Sequence, residues 1–315
     1  MPSSAVHTFT DPDEYAASIR GTKAELTVTK RGRFTAKLIR IDLHRLLAQR
    51  YVESLPRIVH SANMTGRAMI SFRTGHGPRL LAAGLEVHSS TIIQHGEAQN
   101  YFQQSSGSAC FGTMSLPVEE MASVGATIAG CGLTPPKDAL THTPSPDAMA
   151  RLQRLHAAAG QLAEDAPAVI AHPEAARGLE QALIEAMVDC LGEGEVREDR
   201  SALRHHATIL RRFRRTVEEN PDQPLYMPEL CKAIAVSDRT LRVCCQEQLG
   251  MSPKRYLLVR RMHLARRALR DSAPTATTVT EIATRYGFWQ FGRFAGEHKE
   301  LFGEAPSTTL HCPRE

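Results

Sequence analysis

The pattern of apolar and polar residues changes along this 315-residue chain from an alternating one to a helical one. Short alternating runs, typical of half-buried strands, lie at 26–41 (broken at Gly32), 46–59, 68–72, 80–87, 91–94 and 110–116. Glycines and a GHGP turn at 75–78 separate these runs, which favours an antiparallel sandwich or barrel. The first run is expected to form a hairpin, and Asp11 or Asp13 to cap a short helix before it.

Helical spacing begins at Val118 and recurs at 118–130, 147–163, 173–191 and 201–219. The third of these segments has one apolar stripe with two interpretations. The favoured one is that the stripe packs on its own domain, and the alternative is that it forms a dimerisation face. The stripe consists of Leu179, Leu183, Met187 and Leu191. The charged, glycine-bearing stretch at 192–200 is the best linker candidate.

The predicted fold class is therefore α+β. An N-terminal antiparallel β-barrel or sandwich with following helices is expected over 1–191, and an all-α domain over 201–315. The interior of such a barrel is a reasonable small-molecule pocket.

Two helix-turn-helix patterns lie in the last third of the chain, at 228–249 and 279–302. In the first, Pro228 begins a helix and Ser237 caps the one that follows. In the second, Thr278 and Glu281 have capping-box spacing. The turn Tyr286-Gly287-Phe288 then leads into a helix that is expected to bury Phe291, Phe294 and Leu301.

A basic helix connects the two patterns, capped by Ser252 and with its apolar stripe at Leu258, Met262, Ala265 and Leu269. At this length it can hold two recognition helices about 34 Å, one DNA turn, apart. Its arginines are expected partly to contact phosphates and partly to form a solvated face. They are Arg255, Arg260, Arg261, Arg266, Arg267 and Arg270.

The net charge of +4 is unevenly distributed. Residues 201–315 carry 19 Lys and Arg against 12 Asp and Glu, whereas the first 200 residues carry 19 against 22. By charge alone, a polyanion partner and a solvated basic face explain the C-terminal excess equally well. The sequence contains neither a membrane-length apolar run nor a signal peptide, so a cytoplasmic protein without a membrane partner is expected.

The second helix of each pattern enters the major groove in this motif, which makes double-stranded DNA the expected partner. The candidates for base readout are Arg239, Arg242, Gln246, Trp289, Gln290 and Arg293. Arginine can bind guanine in bidentate fashion, and glutamine can bind adenine. The alternative for Trp289 is that its side chain is buried in the core. The phosphate candidates are Ser237, Lys254, Arg255 and Lys299.

Metal and thiol chemistry have weak support in the sequence. His60, His76, His88 and His95 lack the HxH spacing that would place two ligands on one strand face, so neither a metal nor a cofactor is expected. The seven cysteines form no CxxC pair. For Cys244 and Cys245, core packing is favoured over redox sensing, because a bridge between neighbouring helical residues is strained.

The C-terminal segment strongly resembles the AraC/XylS family of bacterial transcription regulators. The resemblance rests on SDRTL at 237–241, LGMSPKRYL at 249–257, RRMHLARRAL at 260–269 and TVTEIATRYGFWQFGRFAGEHKELFGEAPSTTL at 278–310. It implies two helix-turn-helix units in adjacent major grooves and activation through contact with RNA polymerase. By general layout, the N-terminal part resembles the family's cupin-like effector and dimerisation domain.

Four residues depart from the family pattern. Ala235 stands where glycine is common and Cys245 where an aromatic residue is common, while Val243 and Gly296 replace DNA-contacting arginines of some members. A left-handed backbone at Ala235 would cost about 1 kcal/mol. The second unit is therefore expected to be the more rigid one. The alternative function is a DNA-binding module attached to a cupin-like or alkyl-transfer enzyme.

Overall fold

The protein is described by a computed structural model that covers residues 1–130, 132–192, 195–197, 201–220 and 225–311. Its contacts divide the chain into two compact units. The first comprises Met1–Leu26 and Phe34–Ser201, and the second Thr27–Arg33 and Ala202–Glu315. Most of the candidate linker, 193–194 and 198–200, lies outside the described residues. Within the described ranges, no helix has the length and apolarity to span a membrane.

The first unit contains two β-sheets and a set of helices. Its strands are β1 (Ser3–Phe9), β2 (Thr22–Val28), β3 (Ala36–Asp42), β4 (Leu47–Glu53), β5 (Arg57–Asn63), β6 (Arg67–Arg73), β7 (Leu80–Ala82), β8 (Leu85–Glu86), β9 (Ile92–His95), β10 (Asn100–Ser105), β11 (Ala109–Pro117), β12 (Leu140–Thr143) and β13 (Glu195–Arg197). Its helices are α1 (Pro12–Ser18), α2 (Val118–Ile128), α3 (Pro146–Asp165), α4 (Pro167–Ala171) and α5 (Pro173–Gly192).

The strands form an eight-stranded sheet, ordered β1-β3-β4-β11-β6-β9-β12-β13, and a five-stranded sheet, ordered β2-β5-β10-β7-β8. Neighbouring strands pair antiparallel, for example β4 with β11 and β5 with β10. One face of the large sheet packs on α3 and α5 and forms the main apolar core, which includes Ile70, Phe72, Met114, Leu152 and Leu183. The hydrophobic core therefore lies between the large sheet and the helices.

The other face of the large sheet is also buried and combines apolar side chains, such as Leu38, Met69 and Ile93, with polar ones. Strand alternation and register place buried polar side chains there, among them Gln49, Tyr51, Glu53, Ser71, His95 and Thr113. The small sheet contributes a matching set that is also buried: Arg57, Ser61, Tyr101, Gln103 and Ser105. The two sets meet, because the Arg57 guanidinium carbon lies 5.4 Å from the Phe111 ring of the large sheet. Polar and apolar side chains are thus buried together between the two sheets.

The predicted α+β class is confirmed, and two local predictions are wrong. β2 and β3 belong to different sheets, so the run at 26–41 is not a hairpin. The run at 46–59 is interrupted by a turn before Arg57 and forms two strands, one in each sheet. Strand pairing depends on distant partners that alternation alone does not encode. Asp11 is the cap of α1, where its carboxylate accepts hydrogen bonds from the amides of Asp13 and Glu14.

The apolar stripe of α5 packs on its own unit, which was the favoured of the two interpretations. Leu183, Met187 and Leu191 are buried in the main core, and Leu179 packs against it. Their contacts leave no large part of this stripe for a second subunit.

Apart from Thr27–Arg33, which includes the end of β2, the described part of the second unit is built from helices. Its helices are α6 (Ser201–Glu218), α7 (Met227–Ile234), α8 (Asp238–Leu249), α9 (Pro253–Arg270), α10 (Val279–Arg285), α11 (Phe291–Phe302) and α12 (Pro306–His311). One apolar cluster joins α9 to the last three helices through residues such as Met262, Leu269, Ile282, Phe294 and Leu310. The long helix α9 is thus the element on which the second helix pair is built.

Candidate nucleic-acid interface

The first helix-turn-helix is formed by α7 and α8, with Ala235 at the turn. Ala235 has φ 55° and ψ 46°, so it adopts the left-handed conformation that favours glycine. The amide of Val236 donates to the carbonyl of Cys231 and closes the turn. The Ser237 hydroxyl accepts the amide of Thr240 at 3.0 Å and caps α8. The turn that the sequence predicted is present, with strain at one alanine.

Helix α8 has one buried and one exposed face. Leu241, Cys244, Cys245 and Leu249 are buried. The three readout candidates of this unit, Arg239, Arg242 and Gln246, are exposed at positions i, i+3 and i+7, so they share one face. Val243 lies beside them and is 42% exposed. This face can offer two guanidinium groups, one amide and one apolar contact to a groove.

The two arginines of this face differ in their partners. Arg242 forms a 2.8 Å ion pair with Asp238 on the preceding turn of α8. Among the described residues, no carboxylate pairs with Arg239, whose side chain is exposed. The Arg239 guanidinium is therefore available to a hydrogen-bond acceptor. The Arg242 guanidinium must first give up its contact with Asp238.

The neighbouring cysteines of α8 are core residues. Burial raises the pKa of Cys244 to about 11 and raises that of Cys245 further. A raised pKa keeps the thiol protonated near neutral pH and suppresses its nucleophilicity. These two thiols therefore lack the activation that an alkyl-transfer enzyme needs.

Helix α9 presents two cationic side chains at its N-terminal end. Ser252 caps the helix by accepting the amide of Arg255, and Lys254 and Arg255 are exposed in its first turn. The 18 residues of α9 span about 27 Å. That length suits two recognition helices on one face of a duplex.

Three further arginines of α9 are structural, contrary to the expectation of phosphate contact or solvation. Arg260 is buried. The Arg261 guanidinium carbon lies 5.2 Å from the Phe288 ring centroid, and burial lowers its pKa. The Arg266 guanidinium lies 5.1 Å from the Phe302 ring centroid. Cation–π contacts therefore hold the Arg261 and Arg266 side chains against the second helix pair.

The second helix-turn-helix is formed by α10 and α11. Thr278 and Glu281 make the predicted capping box, with the Thr278 amide donating to the Glu281 carboxylate at 2.7 Å. These hydrogen bonds from Thr278 hold the pKa of Glu281 below its usual range. Gly287 has φ 75° at the turn, a conformation that glycine adopts without strain. Unlike the first unit, this turn is relaxed.

The start of α11 corrects one sequence prediction. Phe291 was expected in the core, but it is the first residue of the helix and is 43% exposed. Trp289 and Gln290 precede the helix, and Trp289 is 70% exposed, so it is not a core residue. Phe294, His298 and Leu301 carry the buried face instead. Two aromatic side chains are thus presented to solvent where a second groove contact is expected.

A surface cleft of about 510 Å³ brings together five of the ten candidate residues. It is lined by Lys254 and Arg255 from α9 and by Trp289, Gln290 and Arg293 from the second unit. Arg293 forms a 2.9 Å ion pair with Glu297 one turn later. Lys299 is exposed further along α11.

The sequence analysis did not identify Phe291 as a surface residue. The uneven spacing of the apolar residues in this helix was a signal that one of them is exposed.

The histidines considered as metal ligands are not gathered in a site. His95 is buried and bonds Ser71 at 2.8 Å, while His60 packs edge-on against Phe102. In the part of the chain that the structure describes, no group of three or more His, Cys, Asp or Glu side chains is placed to hold a metal ion.

Comparison with known proteins finds a family match in this segment and several similar proteins. Residues 230–311 match a family described as a helix-turn-helix domain. Over 94 residues the chain is 44% identical to a probable thc operon regulatory protein of Rhodococcus erythropolis, covering 30% of this chain and 28% of that protein. Over 100 residues it is 35% identical to a XylDLEGF operon transcriptional activator of Pseudomonas putida, covering 31% of each.

Among solved structures, the chain is 31% identical to a probable AraC family transcriptional regulator from Rhodopseudomonas palustris. That match covers 34% of this chain and 98% of the other, with a TM-score of 0.30. The chain matches less than a third of the length of the two curated relatives. The family match lies in the C-terminal helices.

Proposed function

Because the C-terminal part of this chain belongs to the AraC/XylS type of helix-turn-helix domain, we propose that the protein is a sequence-specific DNA-binding transcription regulator. The observation that carries the proposal is the pair of exposed faces on α8 and at the start of α11. The first lies on the second helix of its helix-turn-helix and the other at the N-terminal end of the second helix of its own, and this helix enters the major groove in this motif.

In this proposal the two faces contact different base pairs. Arg239, Arg242 and Gln246 meet one major groove, and Trp289, Gln290 and Arg293 meet the next. Arginine supplies bidentate donors for guanine, and glutamine pairs with adenine. Trp289 supplies apolar area beside Gln290.

Phosphate contacts position the protein without selecting sequence. We assign them to Lys254 and Arg255 at the start of α9, to Lys299 on α11 and to Ser237. The first three are exposed cations. The Ser237 hydroxyl already accepts the Thr240 amide, so it would serve the phosphate as a donor.

The remaining parts of the proposal concern regulation. Residues 1–191 are proposed as an effector-binding and dimerisation domain of cupin-like type, 192–200 as a linker and 201–315 as the DNA-binding domain. The protein would act in the cytoplasm as an activator that contacts RNA polymerase and responds to a small molecule. The named relative from Pseudomonas putida is a transcriptional activator, which supports the direction of control.

Genome-wide mapping of bound DNA tests this function. The full-length chain should occupy a small number of sites upstream of operons, with two half-sites about one helical turn apart. In vitro, its affinity for such a site should fall steeply with salt, because each neutralised phosphate releases counterions. Binding without sequence preference would contradict the proposal.

A further inference from the structure

One short segment from the N-terminal part of the sequence belongs to the helical unit. The segment Thr27–Arg33, named here the basic loop, is grouped by its contacts with Ala202–Glu315. Its first two residues are buried. Its charged side chains are all exposed, and they are Lys30, Arg31 and Arg33. A buried start thus carries a cationic stretch that is open to solvent.

A buried hydrogen bond attaches the start of the basic loop to helix α9. The His263 side chain, which is 3% exposed, donates from Nε2 to the carbonyl oxygen of Val28 at 3.0 Å. The same imidazole packs edge-on with the Phe302 ring of α11, with 5.0 Å between the ring centroids. The loop therefore has a defined position on the second unit.

That position is next to the proposed DNA-reading face. Lys30 and Arg31 line a cleft of about 340 Å³. Three other residues of this cleft also line the larger cleft that contains Trp289 and the other readout candidates of the second helix pair: Arg255, Leu258 and Glu297. The cations of the loop are thus neighbours of Arg255, which the proposed function assigns to a phosphate.

The charges around the smaller cleft favour an anionic partner. Its carboxylates are Glu297 and Glu300, and Glu297 already forms a 2.9 Å ion pair with Arg293. Among the residues that the structure describes, no carboxylate forms an ion pair with Lys30 or Arg31. Exposed cations that are grouped in this way attract a polyanion.

A DNA strand supplies such a polyanion at this place. The duplex carries one negative charge per about 1.7 Å of its axis. A strand that is held by Arg255 therefore offers further phosphates to cations beside it. Lys and Arg side chains on an exposed loop suit phosphate oxygens, which need charge and reach more than an exact orientation.

We propose that Lys30 and Arg31 contact the DNA backbone beside Arg255, so that the N-terminal sequence adds directly to the affinity for DNA. This inference rests on the proposed function, because it needs DNA at α9 and α11. Contacts with phosphates carry no base information. The two side chains therefore strengthen binding to any sequence and do not select one.

The salt dependence of binding tests these contacts. Lys30→Gln combined with Arg31→Gln is made in the full-length protein. Its affinity is measured by fluorescence anisotropy over a range of salt concentrations. Each phosphate contact adds about 0.9 to the slope of log affinity against log salt, so the double variant should lower this slope by about 1.8. The loss should be the same for a duplex from a mapped genomic site and for one of scrambled sequence.

Two further variants separate local contact from net charge. Lys23→Gln combined with Arg177→Gln removes two charges from exposed positions of the first unit and should leave the slope unchanged. Lys30→Arg combined with Arg31→Lys keeps both charges of the loop and should also keep the slope.

The result that would overturn the inference is a wild-type slope and affinity in the variant that lacks both loop charges. An equal loss of slope in the Lys23 and Arg177 variant would overturn it as well, because net charge alone would then explain the effect. The proposed function fails by a different result, namely a wild-type protein that does not prefer the mapped site over the scrambled duplex.

Discussion

Arg242 forms a 2.8 Å ion pair with Asp238, one turn earlier on helix α8. Both side chains are largely exposed, at 65% and 47%, so the pair stabilises the helix by only about 0.3–0.5 kcal/mol. The carboxylate nevertheless occupies the guanidinium that we assign to a base, and it adds negative charge to a surface proposed to meet phosphates.

Asp238→Asn should therefore tighten operator binding by about two- to fivefold at low salt, with the gain shrinking as salt screens the charge. Fluorescence anisotropy over a range of salt concentrations measures this. The control is Asp271→Asn, at the C-terminal end of α9, which should change the affinity for the operator less. Weaker binding by Asp238→Asn at every salt concentration would remove Arg242 from the interface.

Ala235 has a left-handed backbone at the first turn, which costs about 1 kcal/mol relative to glycine. Ala235→Gly should raise the free energy of unfolding by about that amount, measured by urea denaturation. Ala233→Gly, in the preceding helix, should instead lower it by up to about 1 kcal/mol. Equal effects of the two substitutions would mean that the turn is not strained.

The two helix pairs should differ in local stability. The second has a relaxed Gly287 turn, a capping box and the Phe288–Phe294 contact at 4.8 Å, whereas the first has Ala235 and the small Cys245 in its core. Native-state hydrogen exchange should be slower for core amides of α11 than for those of α8. The reverse order would show that the aromatic cluster does not set local stability.

Trp289 and Phe291 are exposed aromatic residues at the start of α11. In the major groove, apolar side chains distinguish thymine by its C5-methyl group. Replacing single thymines of the second half-site with deoxyuridine should weaken binding at one or two positions by about 0.5–1 kcal/mol, a methyl-sized effect. Trp289→Ala should abolish that difference, while Val243→Ala should not. If Trp289→Ala still loses the same binding free energy on replacement of thymine by deoxyuridine, a residue other than Trp289 contacts the methyl group.

Local signals in the sequence were sufficient for much of the second unit. Ser237, Ser252 and Thr278 cap the helices that their spacing predicted, because capping depends on residues three positions apart. Phe291 was misplaced because α11 begins there, and its side chain points away from the cluster around Phe294. Helix boundaries depend on such tertiary contacts.

The first unit was less predictable because its sheets are assembled from distant strands. Glu53 and Arg57 are four residues apart, yet they lie in different sheets and form a buried ion pair. Alternation could not reveal this pair, since both faces of the large sheet are buried, one against helices and one against the small sheet. The buried polar groups between the two sheets became visible only from register and burial together.

The most direct measurement is equilibrium binding of the wild type, Arg239→Ala and Arg293→Ala to operator duplexes in which each base pair is changed in turn. The two helix pairs should meet different grooves, so each variant should lose about 1–3 kcal/mol of discrimination at base pairs of one half-site only. The two affected half-sites should lie about one helical turn apart. If both variants keep wild-type affinity and base preference, the assignment of α8 and α11 as the DNA-reading helices is wrong.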